Sequence, residues 1–225
     1  MPRKPAVPED LSAKKALALE VIARLKKEYP DAACTLDYDH AWQLLVSVRL
    51  AAQCTDARVN IVVEDLFAKY PSVAALAAAE PEEIEAIVKP CGLGHSKARD
   101  ISACMRMLRD KYDCKVPTTF EELLSLPGVG RKSANLIMGD VFGKPAIVTD
   151  THCIRLCNKI GLVDGIKEPQ KVEMALWKII PPEEGSDLCH RFVMHGRAVC
   201  NARKPECEKC CLRDICRYAR ENAVT

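Results

Sequence analysis

The sequence predicts an all-α protein, because apolar residues recur at helical spacing along most of its 225 residues. Alternation of the strand type is confined to residues 146–149, a run too short to require a sheet. Hydrophobic residues make up 48% of the chain and charged residues 28%, which is typical of a globular protein. We therefore expect about ten helices joined by short loops.

The first three helices are indicated by apolar stripes and by the prolines that end them. A stripe over residues 18–29 ends at Pro30, and another over residues 59–67 stops before Pro71. Between them, residues 41–51 are apolar nearly all round, which predicts a helix buried at the centre of the fold.

The later helices follow from the same periodicity. Pro81 is well placed at a helix start, with Ile84 and Val88 on the inner face. Apolar residues then repeat at spacings of three and four over residues 98–112. Three further stripes cover residues 153–160, 172–179 and 188–192.

The composition and the first residues of the chain indicate where the protein is expected to occur and how it could bind a partner. No apolar run approaches the ~20 residues of a membrane-spanning helix. Residues 1–5, MPRKP, lead into charged residues instead of the apolar core of a signal peptide, so we expect a soluble, cytoplasmic monomer with residues 1–10 disordered. At a formal net charge of +2, a nucleic-acid-binding protein has to concentrate its cations on one face.

Thirteen cysteines are many for a chain without a signal peptide, and they favour a metal site over disulfides. Eight lie scattered among apolar residues and are expected to be small core side chains. These are Cys34, Cys54, Cys91, Cys104, Cys114, Cys153, Cys157 and Cys189.

The other five cysteines crowd the C-terminal end, where four of them form the pattern C-x6-C-x2-C-x5-C. The four are Cys200, Cys207, Cys210 and Cys216. Four thiolates in one short stretch can enclose an iron–sulfur cluster. Structural zinc is the alternative, although zinc sites usually use two close ligand pairs and only Cys207 and Cys210 form one here. We expect Cys211 to remain unligated.

A weak internal repeat marks two glycine hairpins that each enter a helix. The first is residues 92–101, GLGHSKARDI, and the second is residues 128–137, GVGRKSANLI. In the second, Thr119 and Glu122 can form a capping box for a short helix that precedes the hairpin.

The second hairpin leads into a predicted helix over residues 131–142. Its glycines, Gly128 and Gly130, allow positive φ and close backbone approach. The exposed amides at the start of that helix then form an anion cradle, for which a phosphodiester is the natural ligand. A plain helix–turn–helix corner is the alternative interpretation.

These motifs carry a resemblance to a known family. Residues 126–134, LPGVGRKSA, followed by residues 148–152, VTDTH, resemble the helix–hairpin–helix DNA glycosylase superfamily, and most closely its endonuclease III family. Residues 50–56 (LAAQCTD), residues 195–197 (HGR) and the terminal cysteines extend the resemblance over nearly the whole chain.

The resemblance implies a base excision repair DNA glycosylase that removes oxidised pyrimidines and has AP lyase activity. Its partner would be double-stranded DNA with oxidised pyrimidines or abasic sites, and its four cysteines would hold a [4Fe-4S] cluster. It implies two helical domains with a cleft between them: residues 33–144, ending in the helix–hairpin–helix, and residues 1–32 plus 145–225, carrying the cluster loop 200–216.

Lys132 is the expected nucleophile. A lysine must be neutral to attack, and only about one free lysine in a thousand is neutral near pH 7.4. The first turn of a helix and the neighbouring Arg131 both disfavour the ammonium form. A neutral amine can attack the anomeric carbon, expel the base and leave a Schiff base, after which β-elimination breaks the strand. A solvated phosphate contact is the alternative role.

Asp150 is the expected carboxylate partner, 18 residues after Lys132. It can cap the helix that follows and also stabilise positive charge on the sugar. Its charge would oppose the effect of the helix terminus on the lysine, and the residues alone leave that balance open. His152 has either a structural or an active-site role.

The resemblance assigns Gln53 and Leu93 to the gap left by an extruded base, as plug and wedge. A polar residue at a helix end and a core leucine are the alternatives. His95 stands where the family often has asparagine, which leaves the lesion preference open. Basic residues around the cluster loop are suited to DNA phosphates: Arg197, Arg203, Lys204, Lys209, Arg213 and Arg217.

Two other classes of protein compete with this interpretation. A monofunctional glycosylase for mismatched adenine resembles the chain too, but it generally lacks the lysine and carries a further C-terminal domain. A non-catalytic DNA-binding protein would use the hairpin and the cluster only for affinity. The combination of Lys132 and Asp150 argues against it, because affinity for phosphates does not require a carboxylate.

Overall fold

The computed structural model describes residues 11–222, and in that range it is built from twelve α-helices and three 3-10 helices without a strand. The all-α prediction is confirmed, and residues 146–149 form no strand. Two helices were not predicted, Val73–Ala78 and Arg217–Asn222. Each has six residues, fewer than two turns, which is too short for an apolar stripe to repeat.

The chain divides into two compact units. One is Cys34–Lys144, and the other consists of the described residues of Met1–Ala33 and Pro145–Thr225. The prediction of disorder for residues 1–10 lies outside the described residues. Within residues 11–222, none of the helices has the length and apolarity that crossing a bilayer requires.

The unit Cys34–Lys144 contains seven α-helices and one 3-10 helix, Lys89–Cys91. The α-helices are α2 (Ala41–Leu50), α3 (Asp56–Lys69), α4 (Val73–Ala78), α5 (Pro81–Val88), α6 (Gly94–Tyr112), α7 (Phe120–Ser125) and α8 (Arg131–Asp140). The long helix α6 packs along α4 and α5, and α2 packs against α3, α6 and α8.

Helix α2 is central to this unit, as its all-round apolarity predicts. Eight of its ten residues are buried, and Leu44 and Leu50 are fully so. The Trp42 ring meets the Phe67 ring of α3 edge to face, with centroids 5.1 Å apart. Each such buried side chain contributes roughly 1.5–3 kcal/mol to the free energy of unfolding, which anchors the loops at both ends of α2.

The other unit contains α1 (Leu11–Glu28) and the four later α-helices. These are α9 (Thr151–Ile160), α10 (Pro169–Leu176), α11 (Gly185–Ala198) and α12 (Arg217–Asn222). Helix α11 packs on α1 and α9. Its first residue, Gly185, lies against the chain before α9, where an added Cβ would stand 2.4 Å from the Ala146 carbonyl oxygen.

All thirteen cysteines are free thiols. Of the eight expected in the core, five are buried and Cys34 and Cys54 are half-buried. Cys114 is exposed, so the prediction is wrong there. Its backbone φ of 58° places it in the turn that ends α6, after Asp113 at φ 51°, and a side chain in such a turn points away from the packed helices.

Candidate active site

The hairpin before α8 is built on a capped short helix and one turn that requires glycine. The Thr119 side chain caps α7 by accepting a hydrogen bond from the Glu122 amide at 3.3 Å. The Thr119 hydroxyl in turn donates to the Glu122 carboxylate at 2.6 Å. Gly128 follows with φ 74°, and an added Cβ would stand 2.9 Å from Asp100 Cβ and 3.1 Å from Arg49 Cδ. Only glycine fits this turn.

Gly130 differs from the expectation for it. It is the N-cap of α8 with φ −97° and ψ 177°, an extended backbone that any residue adopts. An added Cβ would meet no atom within 4 Å. The prediction that both hairpin glycines provide positive φ is therefore wrong for Gly130, whose backbone lies open to solvent at the start of the helix.

Lys132 lies in the first turn of α8 and its side chain is exposed. Next to it, the Arg131 guanidinium lies over the Phe120 ring at 4.9 Å from the centroid, which ties the start of α8 to the start of α7. The first amides of α8 have no partner inside the helix and carry its positive dipole end. Lys132 thus stands beside a place that can hold a phosphate.

Asp150 is the N-cap of α9, as predicted. Its backbone is extended, and its Oδ1 atom accepts the Cys153 amide at 2.7 Å. The cap uses one carboxylate oxygen, and the side chain is only half-buried. Asp150 and Lys132 belong to different units of the chain.

His152 has a structural environment that the sequence did not reveal. Its Nδ1 atom lies 3.1 Å from Arg155 Nη2, and an added Cβ at Gly196 would stand 2.4 Å from the same Nδ1. Arg155 also donates to the carbonyl oxygens of Gly196 at 3.2 Å and Cys200 at 2.9 Å. Arg155 thereby connects α9 to Cys200, the first cysteine of the terminal pattern, and no motif in the sequence indicated this contact.

Gln53 and Leu93 occupy two strained turns of the unit Cys34–Lys144. Both have left-handed backbones, at φ 56° and φ 51°, which costs a residue with a side chain about 1 kcal/mol or more. Both are exposed, and 57% of Leu93 is accessible. Leu93 is therefore not a core leucine. Strain combined with an exposed apolar tip is typical of a residue kept for contact with a ligand.

Two charged residues behind the hairpin were also missed. Arg49 is the one basic residue of α2, and its Nε donates to Asp100 Oδ2 on α6 at 2.7 Å. A second guanidinium nitrogen donates to the Ser96 hydroxyl at 3.2 Å. The sequence did contain an indication of this pair, because Arg49 is the one charged residue in a mostly apolar helix. A half-buried charge of this kind needs a partner of opposite charge.

The four cysteines of the terminal pattern influence one another electrostatically. Burial raises the pKa of the Cys200 thiol, and the thiols of Cys216 and Cys207 raise it further. The cations Lys159 and Arg155 act in the opposite direction. Neighbouring cations of this kind suit thiolates that together carry a net negative charge.

Cys210 lies beside a backbone amide and a histidine ring. Burial raises the pKa of its thiol to about 12, while the Leu212 amide, 3.4 Å from its sulfur, lowers it. His195 Nε2 lies 3.3 Å from the same sulfur, and Tyr29 Oη lies 3.0 Å from His195 Nδ1. Such contacts to ligand sulfur are typical of the surroundings of metal centres.

The four thiols have the chemistry that an iron–sulfur cluster requires of its ligands. In the described part of the chain, no three His, Cys, Asp or Glu side chains converge as a single metal ion requires. Ligands of a four-iron cluster each bind a different iron and therefore stand farther apart. Four neighbouring thiols with cations beside them fit that arrangement.

The basic residues around the loop differ in whether they form ion pairs. Three form ion pairs within the unit: Lys209 with Glu206, Arg213 with Glu208 and Arg217 with Asp164. The expectation that these three bind DNA phosphates stays a prediction, and each of them would have to share its charge between a carboxylate and the phosphate. Arg203 and Lys204 are exposed and take part in none of the ion pairs found among residues 11–222.

Comparison with known proteins agrees with this geometry. Residues 46–182 match the model of the HhH-GPD superfamily base excision DNA repair protein family. The chain is 44% identical over 207 residues to the endonuclease III of Synechocystis sp., covering 92% of this chain and 94% of the relative. It is 37% identical over 204 residues to that of Escherichia coli K12, covering 91% and 96%.

A solved structure supports the same conclusion. A non-covalent endonuclease III–DNA complex superposes with a TM-score of 0.88 at 40% identity, covering 94% of this chain and 99% of that one. The chain therefore belongs to the HhH-GPD superfamily of base excision DNA repair proteins, which confirms the prediction of a DNA glycosylase with AP lyase activity.

Proposed function

We propose that the enzyme removes oxidised pyrimidines from double-stranded DNA and cuts the strand through a Schiff base on Lys132. The observation that carries this assignment is the exposed Lys132 side chain in the first turn of α8, beside amides that can hold a phosphate. A nucleophile in that position meets the sugar of the nucleotide whose phosphate the hairpin binds.

In the proposed reaction, neutral Lys132 Nζ attacks C1′ of the damaged nucleotide as the glycosidic bond breaks and the base leaves with a proton. Opening of the sugar ring converts the adduct into a Schiff base. Its positive charge acidifies the C2′ hydrogen, and loss of that proton expels the 3′ phosphate. Water then releases the sugar fragment and restores Lys132.

We assign Asp150 the task of stabilising positive charge on the sugar as the base departs. Its Oδ1 atom is held by the Cys153 amide, so the carboxylate is oriented before substrate binds. An oriented carboxylate can also transfer protons to or from the reacting sugar.

DNA contacts are assigned to both units. Gln53 fills the space of the extruded nucleotide and Leu93 parts the neighbouring base step, because both are exposed on strained turns. The remaining contacts go to the DNA backbone: Gly128, Gly130, Arg131, His152, Arg203 and Lys204. We expect the enzyme to act as a monomer on chromosomal DNA in the cytoplasm.

A [4Fe-4S] cluster on Cys200, Cys207, Cys210 and Cys216 completes the proposal. When bound, the cluster supplies rigid structure to the loop. This role requires no redox step, and the exposed cations Arg203 and Lys204 are then held at fixed positions toward phosphate.

The function is tested with end-labelled duplexes that carry an oxidised pyrimidine, an abasic site or no lesion. We expect cleavage at the first two, a 3′ unsaturated aldehyde on the product, and a covalent protein–DNA adduct when borohydride is present. Base release from an uncut strand would instead identify a monofunctional glycosylase. Binding without either product would identify a non-catalytic DNA-binding protein.

Cysteine variants test the cluster. Anaerobically purified protein is expected to be yellow-brown, with about four irons and four sulfides per chain. Cys207→Ser should lower soluble yield and thermal stability, because metal binding is coupled to folding. Cys211→Ser is the matched control and should change neither. One zinc per chain and no iron would contradict the assignment.

Salt titrations test the phosphate contacts. We expect duplex affinity to fall steeply with salt, because bound cations release counterions from DNA. The double variant Arg203→Ala/Lys204→Ala should reduce the slope of log K against log salt by about 2 and weaken damaged and undamaged duplexes equally.

Lys209→Ala is the control for this titration, because the Lys209 ammonium is already paired with Glu206 at 2.5 Å. We expect this substitution to leave the slope of log K against log salt unchanged. A loss of affinity confined to damaged DNA would show that Arg203 and Lys204 recognise the lesion instead.

A further inference from the structure

A fully buried lysine lies behind the two strained turns and has no role in the proposed chemistry. Lys97 is in the first turn of α6, and 0% of its surface is accessible. Its Nζ atom donates to the Leu50 carbonyl oxygen at 2.8 Å and to the Cys91 carbonyl oxygen at 2.8 Å. Burial lowers the pKa of Lys97, which the nearby thiols of Cys54 and Cys91 partly offset.

The two carbonyl groups end two helices. Leu50 is the last residue of α2, and Cys91 is the last residue of the 3-10 helix Lys89–Cys91. Carbonyl groups at a helix C-terminus lack a partner within the helix and carry its negative dipole end. A buried ammonium is costly unless it is hydrogen-bonded, and here backbone carbonyls provide the bonds. An apolar side chain could fill the space but could not join the two helix ends.

The chain that follows each carbonyl leads directly to one of the strained residues. Gln53 comes three residues after Leu50, and Leu93 comes two residues after Cys91. Their φ values are 56° and 51°, and both side chains are exposed. Lys97 thus connects the bases of both turns from inside the protein, while the turns present their side chains outside.

We infer that Lys97 is a positioning residue, whose two hydrogen bonds hold the turns of Gln53 and Leu93 in one fixed arrangement for insertion into DNA. This inference rests on the proposed function of those two residues. Pre-organised turns avoid the ordering cost that flexible loops would incur on binding, and they place both side chains at the base stack together.

The first test compares Lys97→Met with the wild type in two assays. Single-turnover excision from a duplex with an oxidised pyrimidine should slow by about tenfold or more, because misplaced groups lose much of their effect. Borohydride trapping on single-stranded abasic DNA should change by less than about twofold, because no base stack has to be opened. Lys111→Met, on the same helix but exposed, is the matched control and should match the wild type in both.

A double-mutant cycle tests whether Lys97 acts through the turns. In a Gln53→Ala/Leu93→Ala background, adding Lys97→Met should lower the rate of excision from duplex DNA by less than about a further twofold. The reason is that Lys97 would act only through the two side chains that this background already lacks. Losses that multiply would overturn the inference while leaving the role of the turns intact. Excision at the wild-type rate by Gln53→Ala/Leu93→Ala alone would overturn the proposed role of the turns, and the inference with it.

Amide hydrogen exchange keeps the inference testable if Lys97→Met is unstable. Lys97→Gln retains N–H donors on a shorter side chain and should fold, with faster exchange over residues 51–55 and 92–94 than in the wild type. Exchange in α9, which belongs to the other unit, should be unchanged. Wild-type exchange over both turns in a folded Lys97 variant would overturn the inference.

Discussion

Replacing Lys132 by alanine is expected to abolish borohydride trapping on abasic-site DNA, a loss of more than about 10³-fold, because the group that forms the covalent bond is absent. Duplex affinity should stay within a few-fold of the wild type. The hairpin holds phosphate through backbone amides at the start of α8, and a side-chain change leaves these in place.

Two further variants separate nucleophilicity from charge. Lys132→Arg keeps a cation in the first turn of α8 but is not a nucleophile near neutral pH, so it should also fail to trap DNA. Lys144→Ala removes a lysine of the same unit whose Nζ donates to the Thr118 carbonyl oxygen at 2.6 Å, and it should trap normally. Persistent trapping in Lys132→Ala would place the nucleophile elsewhere and withdraw the proposed mechanism.

The second large effect is expected for Asp150→Asn, which should slow base release by about 10²–10³-fold, the scale on which an oriented charge-stabilising group acts. Asparagine also caps helices, so α9 should keep its first turn and the melting temperature should change little. The measurement is single-turnover excision from a duplex with an oxidised pyrimidine, together with a thermal melt of the same preparation.

A lost cap elsewhere provides the control for Asp150→Asn. Ser72 caps α4 by accepting the Ala75 amide at 3.1 Å, and Ser72→Ala should cost about 1 kcal/mol of stability without slowing excision. If Asp150→Asn excises at the wild-type rate, Asp150 is a cap only and the charge that stabilises the sugar has to come from another group.

Local features of this protein could be predicted from residues close together in the chain. The cap by Thr119, the short helix α7 and the cap by Asp150 each depend on a side chain and an amide three residues away. The central position of α2 follows from its all-round apolarity. Such interactions close over a few residues, so a local pattern is sufficient evidence for them.

Other features escaped prediction because their partners are remote in sequence. Lys97 donates to the Leu50 carbonyl oxygen 47 residues away, and Arg155 donates to the Cys200 carbonyl oxygen 45 residues away. The ion pair between Arg217 and Asp164 likewise joins two residues that are 53 positions apart in the sequence. No spacing rule connects such pairs, since only the packing of helices brings them together.

The sequence by itself therefore determined ten of the twelve described α-helices, the hairpin motif, the four-cysteine pattern and the family, because each depends on local periodicity or on motifs in a fixed order. The tertiary structure alone decided which of the candidate site residues have a strained backbone, which have an exposed side chain and which are paired with an opposite charge. Leu93 is exposed on a left-handed turn, whereas Lys209 and Arg213 are paired with carboxylates. Exposure and pairing depend on distances across the fold, and a linear pattern contains no such distances.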